Sequence, residues 1–376
     1  MPISNAAWLA AFVILVIDAF LVVGLVGFKV INRARERRLS ERRGEYRRLI
    51  SRHLAFENCT DPITPKMVTD PAFIDALLEV RNALSGDEGN SLPGVVDRQG
   101  LTSRQVARLH SRFPLGKRLR AAVILAELGA SSSAEALMEH LDDRVPEIRI
   151  QAARGLARMK WTPALDAIVS RFSVETPLVR NRFADTLPMF GSDATWPLAA
   201  YVKVNHEFDS EGPVAAIRAL GTIGDVDAVQ PLVEVLQEAD SIEVKLATVE
   251  TLGLLGSPLA LSVLRSTARS GDWRVRAKSM TALAEIGDPR SLEILGPALR
   301  DRDWWVRRNA AAGLTRIRGG IDLLYDAIAT EDHFAADAAA EALEHAGELA
   351  AARQRESSGG VLDRDLLLIH HMAGVR

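Results

Sequence analysis

The sequence predicts an all-α chain: a right-handed α-solenoid of about eight stacked helical hairpins, preceded by one transmembrane helix. Three observations predict it. Leucine and alanine are abundant while aromatic residues make up 5% of 376, and β-branched runs are sparse beyond the first thirty positions, a balance that favours helix over sheet. A leucine recurs about every 31 residues through most of the chain. Near the N-terminus, 23 residues from Ala6 to Phe28 carry a single charge, Asp18. The organisation that follows is a transmembrane helix over 1–30, a basic juxtamembrane helix or linker over 31–60, and a helical cap region over 61–114. The repeat solenoid covers 115–347, and a linker with a tail helix covers 348–376.

The apolar stretch is long enough, at about 1.5 Å per residue, to cross a hydrocarbon core of roughly 30 Å. Met1 to Asn5 has no basic residue, so the pattern of a cleaved secretory signal is missing. Ten Lys or Arg lie between Lys29 and Arg52 against Glu36, Glu41 and Glu45. Basic residues beside a span are retained in the cytoplasm, which puts the N-terminus outside and the remainder of the chain on the cytoplasmic side of an inner (plasma) membrane. A lone aspartate in mid-span costs about 2.5–3.5 kcal/mol. Asp18 therefore either shares a face with Ala7 and Ala11 on which a partner helix packs, or is carried protonated. The basic stretch from Arg33 to Arg52 is either a solvated helix or a contact for anionic headgroups. Cys59 is the single cysteine, so an internal disulfide and a cysteine-built zinc site are excluded and a reducing compartment is consistent.

Between anchor and repeats, Phe73, Leu77, Leu78 and Val80 fall at helical spacing, and Ser85 to Gly94 reads as a loop. The repeated leucines are Leu125, Leu156, Leu187, Leu220, Leu252, Leu283, Leu314 and Leu343. Seven positions before each stand Arg118, Arg149, Arg180, Pro213, Lys245, Arg276, Arg307 and Ala336; four positions after come Gly129, Lys160, Gly191, Gly224, Gly256, Gly287, Arg318 and Gly347. Eleven positions before, from the third unit on, are Thr176, Asp209, Ser241, Asp272, Asp303 and Asp332, all of them N-cap types. Each unit then reads as a capped helix ended by a left-handed residue, followed by a second helix such as the one Pro289 starts. Neither helix buries its apolar stripe alone, so the units must stack. After Gly347, Arg353 to Gly360 reads as a flexible linker, and Leu362 to Met372 as a short helix that folds back as a cap or docks into a partner.

The run Asp272-Trp273-Arg274-Val275-Arg276, followed by Ala282-Leu283 and Ile286-Gly287-Asp288-Pro289, resembles HEAT repeats, in particular the short bacterial type named for phycobilisome lyases. That resemblance covers Leu101 to Gly347 and implies a scaffold, adaptor, lyase or nucleic-acid binder rather than one activity. In such proteins the basic position (Arg118, Arg149, Arg180, Lys245, Arg276, Arg307) forms a charge-assisted structural ladder with cap aspartates such as Asp272 and Asp303; the alternative is an anion-binding surface. The leucine-bearing helices line the concave face of such a solenoid. Their exposed positions include Arg120, Arg154, Arg158, Arg182, Arg218 and Lys278, a basic set for an acidic partner loop or a polyanion, or a solvated face. Trp273, Trp304 and Trp305 at helix starts, with Trp161 and Trp196, read as packing between repeats or ligand contacts.

Catalytic signatures are missing. His206-Glu207 is the single His-Glu pair, whereas the resemblance to HEAT-type hydroxylases would require repeated ones. Glu139-His140, Glu344-His345 and His370-His371 read as surface histidines, and no phosphate-cradling loop or nucleophile elbow is present. The expectation is a non-enzymatic, membrane-tethered scaffold without cofactor or metal, binding a protein partner that is itself an integral membrane protein. Membrane-anchored HEAT proteins of this layout look like those beside bacterial processive glycosyltransferases, which implies an accessory role to such an enzyme. A bilin lyase-like enzyme and a binder of nucleic acid or anionic lipid are the alternatives.

Overall fold

The computed structural model describes residues 5–55, 62–84, 94, 97, 99–112, 114–207 and 210–374. Side chains of residues 5–11, 13–19, 27, 30 and 31 also lie outside the described set, and Asp18 is among them. Every regular element among the described residues is helical. The chain divides into two compact units, Met1–Gly155 and Leu156–Arg376.

The first unit begins with one uninterrupted helix, α1 (Asn5–Ala55), where the sequence suggested a division near residue 30. Nothing between Phe28 and Arg33 breaks it, because neither proline nor glycine follows Gly27 until Gly44. Then come α2 (Pro71–Ala83), α3 (Leu101–His110), α4 (Leu115–Leu128), α5 (Ala134–Glu139) and the start of α6 (Pro146–Arg158). Asp70 caps α2 by accepting from Ala72 N at 3.0 Å, and also accepts from Tyr46 Oη at 2.9 Å and from Arg42, fixing α1 to α2. Phe73 lies edge-on to Tyr46 at 5.4 Å. Ile50, Ile63, Val68, Phe73, Leu77, Leu101, Ile124 and Leu128 share one buried core beneath them.

In the second unit two sets of helices alternate: α7 (Leu165–Ser170), α8 (Pro177–Ala184), α9 (Thr195–Asn205), α10 (Glu211–Ile223), α11 (Val229–Glu238), α12 (Ile242–Leu255), α13 (Leu261–Thr267), α14 (Trp273–Ile286), α15 (Leu292–Ala298), α16 (Trp304–Leu314), α17 (Gly320–Ile328) and α18 (His333–His345). The third repeat departs from the expected single helix, because α8 ends before Leu187 and a separate 3-10 helix (Leu187–Ala194) follows. Helices α10, α12, α14, α16 and α18 pack side by side in one layer, and the intervening helices form the other. Leu220, Leu252, Leu283, Leu314 and Leu343 are fully buried between the layers. Local chemistry sets the boundaries. Asp272 accepts from Arg274 N at 2.8 Å, Asp303 from Trp305 N at 2.9 Å, and Asp332 from Phe334 N at 3.1 Å. Thr176 makes no such bond, and Pro177 directly after it starts α8; Asp209 lies outside the described residues. Gly287 ends α14 at φ 70°, and Lys160 takes φ 51° at the equivalent position, the one non-glycine with positive φ among the described residues. At the Arg318 position the left-handed turn is made one residue later, by Gly319 at φ 90°.

The segment read as a linker is helical as far as α19 (Glu348–Ser357). Leu349 and Ala352 are buried, which offsets the polar composition, and the turn is confined to Ser358–Val361. The tail then folds back as α20 (Asp363–Gly374). Asp365, wholly buried, accepts from Arg355 Nε at 2.8 Å, Arg355 Nη2 at 2.7 Å and Leu362 N at 3.0 Å. Arg364 stacks over Tyr325, and His371 Nε2 is 2.9 Å from Asp337. Asp365→Ala leaves the Arg355 guanidinium with only the longer 3.8 Å approach to Glu348 and is expected to weaken this cap by about 2 kcal/mol. Amide exchange across residues 359–374 should then accelerate by a factor of about 30 while exchange in α14 is unchanged.

Among the described residues no helix is long and apolar enough to cross a membrane. The expected span falls largely on side chains outside that set. Within it, Phe12, Phe20, Leu21, Val22, Val23, Leu25, Val26 and Phe28 are all more than half exposed.

Candidate partner-binding surface

The basic position seven before each leucine sits on the fourth residue of its helix. Side chains in a helix lean toward its N-terminus, which carries these guanidinium groups over the preceding loop. Arg276 Nη1 donates to Ser270 O at 2.9 Å and Gly271 O at 3.2 Å, while Nε and Nη2 form a two-pronged pair with Asp301 at 2.8 Å each. Arg118 meets Asp143 through Nη2 alone, its Nε donating to Leu109 O at 3.1 Å, and in both cases the acid stands 25 residues ahead. Arg149 and Arg307 each donate to a loop carbonyl six residues back, Asp143 O and Asp301 O, at 2.9 Å. Arg180 donates to Phe172 O and Glu175 O and reaches Glu211 at 2.6 Å. Lys245, half-buried, forms no ion pair among the described residues.

The acceptors are thus loop acids and loop carbonyls rather than the cap aspartates. Asp272 and Asp303 are already engaged by the first-turn N–H groups of their own helices, and Asp272 also holds Arg274 at 2.8 Å. Asp272, through the hydrogen bond from Arg274, and Asp288, through that from Arg290, are both lowered from 3.8 to about 2. For Asp301 burial pushes the carboxyl upward, but the bonds from Arg276 and Asp303 N outweigh it and leave it below the ordinary value. The bonds from Arg355 lower Asp365 against its burial. All four carboxyls bind their proton more weakly folded than unfolded. Their contribution is therefore complete above about pH 5 and is lost as pH falls from the unfolded value of 3.8 toward 2. The unfolding midpoint is expected to be level from pH 8 to about pH 5 and to drop most steeply between about pH 4 and pH 2.

The exposed basic set is less uniform than its sequence. In the first unit Arg120 Nη2 lies 3.1 Å from Asp75, and Arg154 Nη2 lies 3.4 Å from Glu127. In the second, Lys278 Nζ is 3.0 Å from Glu250. Arg158, also in the second unit, is half-buried. Arg182 and Arg218 are exposed and form no ion pair among the described residues. Arg218 lines an open cleft of about 440 Å³ between α8 and α10, with Asn181, Asp185, Pro188 and Thr222. Local carboxylates neutralise much of the charge that a polyanion would need, while Arg182 and Arg218 stay available to an acidic loop.

Trp273, Trp304 and Trp305 are 40–47% exposed at the starts of α14 and α16, and Phe334 is 69% exposed at the start of α18. Arg308 covers Trp304 at 5.1 Å and Arg307 covers Phe334 at 5.0 Å. Among the described residues no group of three or more His, Cys, Asp or Glu is arranged to hold a metal. His140 is buried, with Nδ1 2.8 Å from Ala136 O, and His206 is buried with Nε2 3.8 Å from Glu238. His140 is therefore not the surface histidine that the sequence suggests.

The 25-residue acid–arginine link and the capped, glycine-ended helix recur where sequence comparison also finds a repeat. Residues 202–278 and 263–344 match HEAT repeats, and residues 117–143 match the PBS lyase HEAT-like repeat. The chain carries HEAT repeats. No curated protein matches it. Among solved structures, a mutant of Kap121p is similar at 13% identity and TM-score 0.50, over 75% of this chain and 37% of Kap121p. Kap121p bound to RanGTP is similar at 14% identity and TM-score 0.50, over 81% and 39%. The complex of CpcE and CpcF of phycocyanin lyase from Nostoc sp. aligns at 21% identity and TM-score 0.31, over 59% and 92%. The chain spans about two fifths of Kap121p, and at these identities the likeness concerns the HEAT fold alone.

Proposed function

We propose that this protein is a membrane-tethered scaffold, anchored through the apolar end of α1 and holding a partner protein on the cytoplasmic side through its HEAT repeats. The observation that carries the tether is the exposure of Phe20, Leu21, Val22, Val23, Leu25, Val26 and Phe28, at 56–76%. Seven apolar side chains over nine consecutive residues surround the helix, and burying each is worth roughly 1.5–3 kcal/mol. A bilayer offers that medium, and the ten basic residues that follow on the same helix favour the cytoplasmic side. Asp18 then meets a polar group of a partner helix, and the partner is an integral membrane enzyme such as a glycosyltransferase, to which this chain is a non-catalytic accessory. Two linked weak contacts, one in the membrane and one at the Arg182 and Arg218 surface, would reinforce each other through effective concentration.

Alkaline carbonate extraction tests the tether. The full chain is expected to stay with the membrane pellet, and a chain lacking residues 1–28 is expected in the supernatant. Release of the full chain by carbonate would overturn the reading. The polyanion alternative draws less support from a surface whose Arg120, Arg154 and Lys278 are matched by carboxylates, and the lyase alternative rests on the short match over 117–143.

A further inference from the structure

Helix α3 presents Leu101, Gln105 and Leu109 at spacings of four along one face, and all three are buried, Gln105 to 1% exposure. A carboxamide at a core position must find hydrogen-bond partners or cost stability. Gln105 Oε1 accepts from Arg108 Nη1 at a long 3.4 Å, and Gln105 Nε2 has no partner among the described residues. Gln105 lines a cleft of about 220 Å³ whose other walls are Thr69, Pro71, Ile74, Arg108, Lys117 and Arg120. Two helices, α3 and α4, thus deliver three cations and a buried amide donor to one small space. Among the described residues no carboxylate lines it; Asp75 holds Arg120 at 3.1 Å. The N-terminus of α2 adds nothing, since Asp70 already caps it.

We propose that this cleft binds a phosphate group, whether the monoester headgroup of an anionic lipid or a soluble phosphate. The volume is below that of a drug-sized pocket, and suits one tetrahedral anion with a few atoms of its ester. Arg108, Lys117 and Arg120 supply charge-assisted donors, and the Gln105 amide, which lines the cleft, supplies a neutral donor. Pro71 and Ile74 give an apolar wall against which the carbon side of an ester packs. Binding exchanges the long Arg108–Gln105 contact, the exposed Arg120–Asp75 pair and the interaction that Lys117 already makes for bonds to the anion. The assignment is independent of whether α1 enters a bilayer.

The test is calorimetric titration of the full chain in a zwitterionic detergent, with inorganic phosphate and with dioctanoyl phosphatidate as separate probes. Variants K117Q/R120Q and Q105L are measured beside R112Q, at an exposed residue that does not line the cleft. Saturable binding with a dissociation constant of about 1 mM or tighter is expected, weakened about tenfold or more in K117Q/R120Q and about fivefold in Q105L, and unchanged in R112Q. Phosphatidate binding at least about tenfold tighter than phosphate, lost in the same variants, assigns the cleft to a lipid headgroup; equal affinities assign it to a soluble phosphate. No saturable binding of either probe up to about 10 mM, or binding that K117Q/R120Q leaves intact, overturns the proposal.

Discussion

Arg276→Ala is expected to destabilise the second unit by about 3 kcal/mol, the cost of stranding one member of a buried ion pair. Arg276 is 6% exposed, and its guanidinium joins Asp301 on the next loop to the carbonyls of Ser270 and Gly271 on its own. Alanine removes every donor at once and leaves the Asp301 carboxylate and two carbonyls with fewer partners. Arg276→Lys should recover less than half of the loss, because an ammonium cannot make the two-pronged pair and reach the carbonyls together. The double variant with Asp301→Ala should be more stable than the sum of the single changes implies, since the neighbour left behind is then absent. Urea denaturation followed by tryptophan fluorescence gives all four values. A cycle with no coupling would mean that Arg276 acts by packing alone.

The second large effect is expected at Gly253, where the α12 and α14 backbones approach closely. A Cβ there would lie 2.8 Å from Ala282 Cα and 2.9 Å from Ala282 Cβ, atoms that cannot move without shifting α14. An ordinary mid-helix glycine gains up to about 1 kcal/mol on replacement by alanine. Overpacking costs about 1–3 kcal/mol, so Gly253→Ala should be net destabilising and Gly253→Val should cost about 3 kcal/mol. Gly221, on α10, is the control: its nearest contacts would be Thr251 side-chain atoms at 3.2 Å and 3.3 Å. A hydroxyl and a methyl can give way, so Gly221→Ala should fall within about 1 kcal/mol of the unmodified protein. If both glycines tolerate alanine equally, the close packing of adjacent leucine helices is not what limits this unit.

Much of this architecture was legible because the repeat imposes the same local chemistry many times. The leucine register placed the buried residues, the cap aspartates placed the starts of α14, α16 and α18, and the glycines placed the left-handed ends. The partner of the basic ladder was not legible in the same way. Cap residues stand out in sequence, whereas Asp143 and Asp301 lie in loops; the available signal was the shared 25-residue interval from Arg118 and from Arg276. Only stacking of consecutive hairpins gives that interval meaning. The helix over 348–357 was hidden by its polar composition, since the pairing of Arg355 with the buried Asp365 is a tertiary feature. Arg120, Arg154 and Lys278 looked like free charge because their carboxylates are remote in sequence or on neighbouring helices. Gln105 was visible as a polar residue between Leu101 and Leu109, but its burial depends on the helices packed around it.

Cross-linking in the native membrane, followed by purification of the full chain and mass spectrometry, tests the scaffold most directly when run beside Asp18→Leu and R182E/R218E. One integral membrane protein is expected to be enriched with the unmodified chain, and depleted by each variant through loss of one of the two contacts. Enrichment of no specific protein, or of the same set with all three chains, would contradict the account.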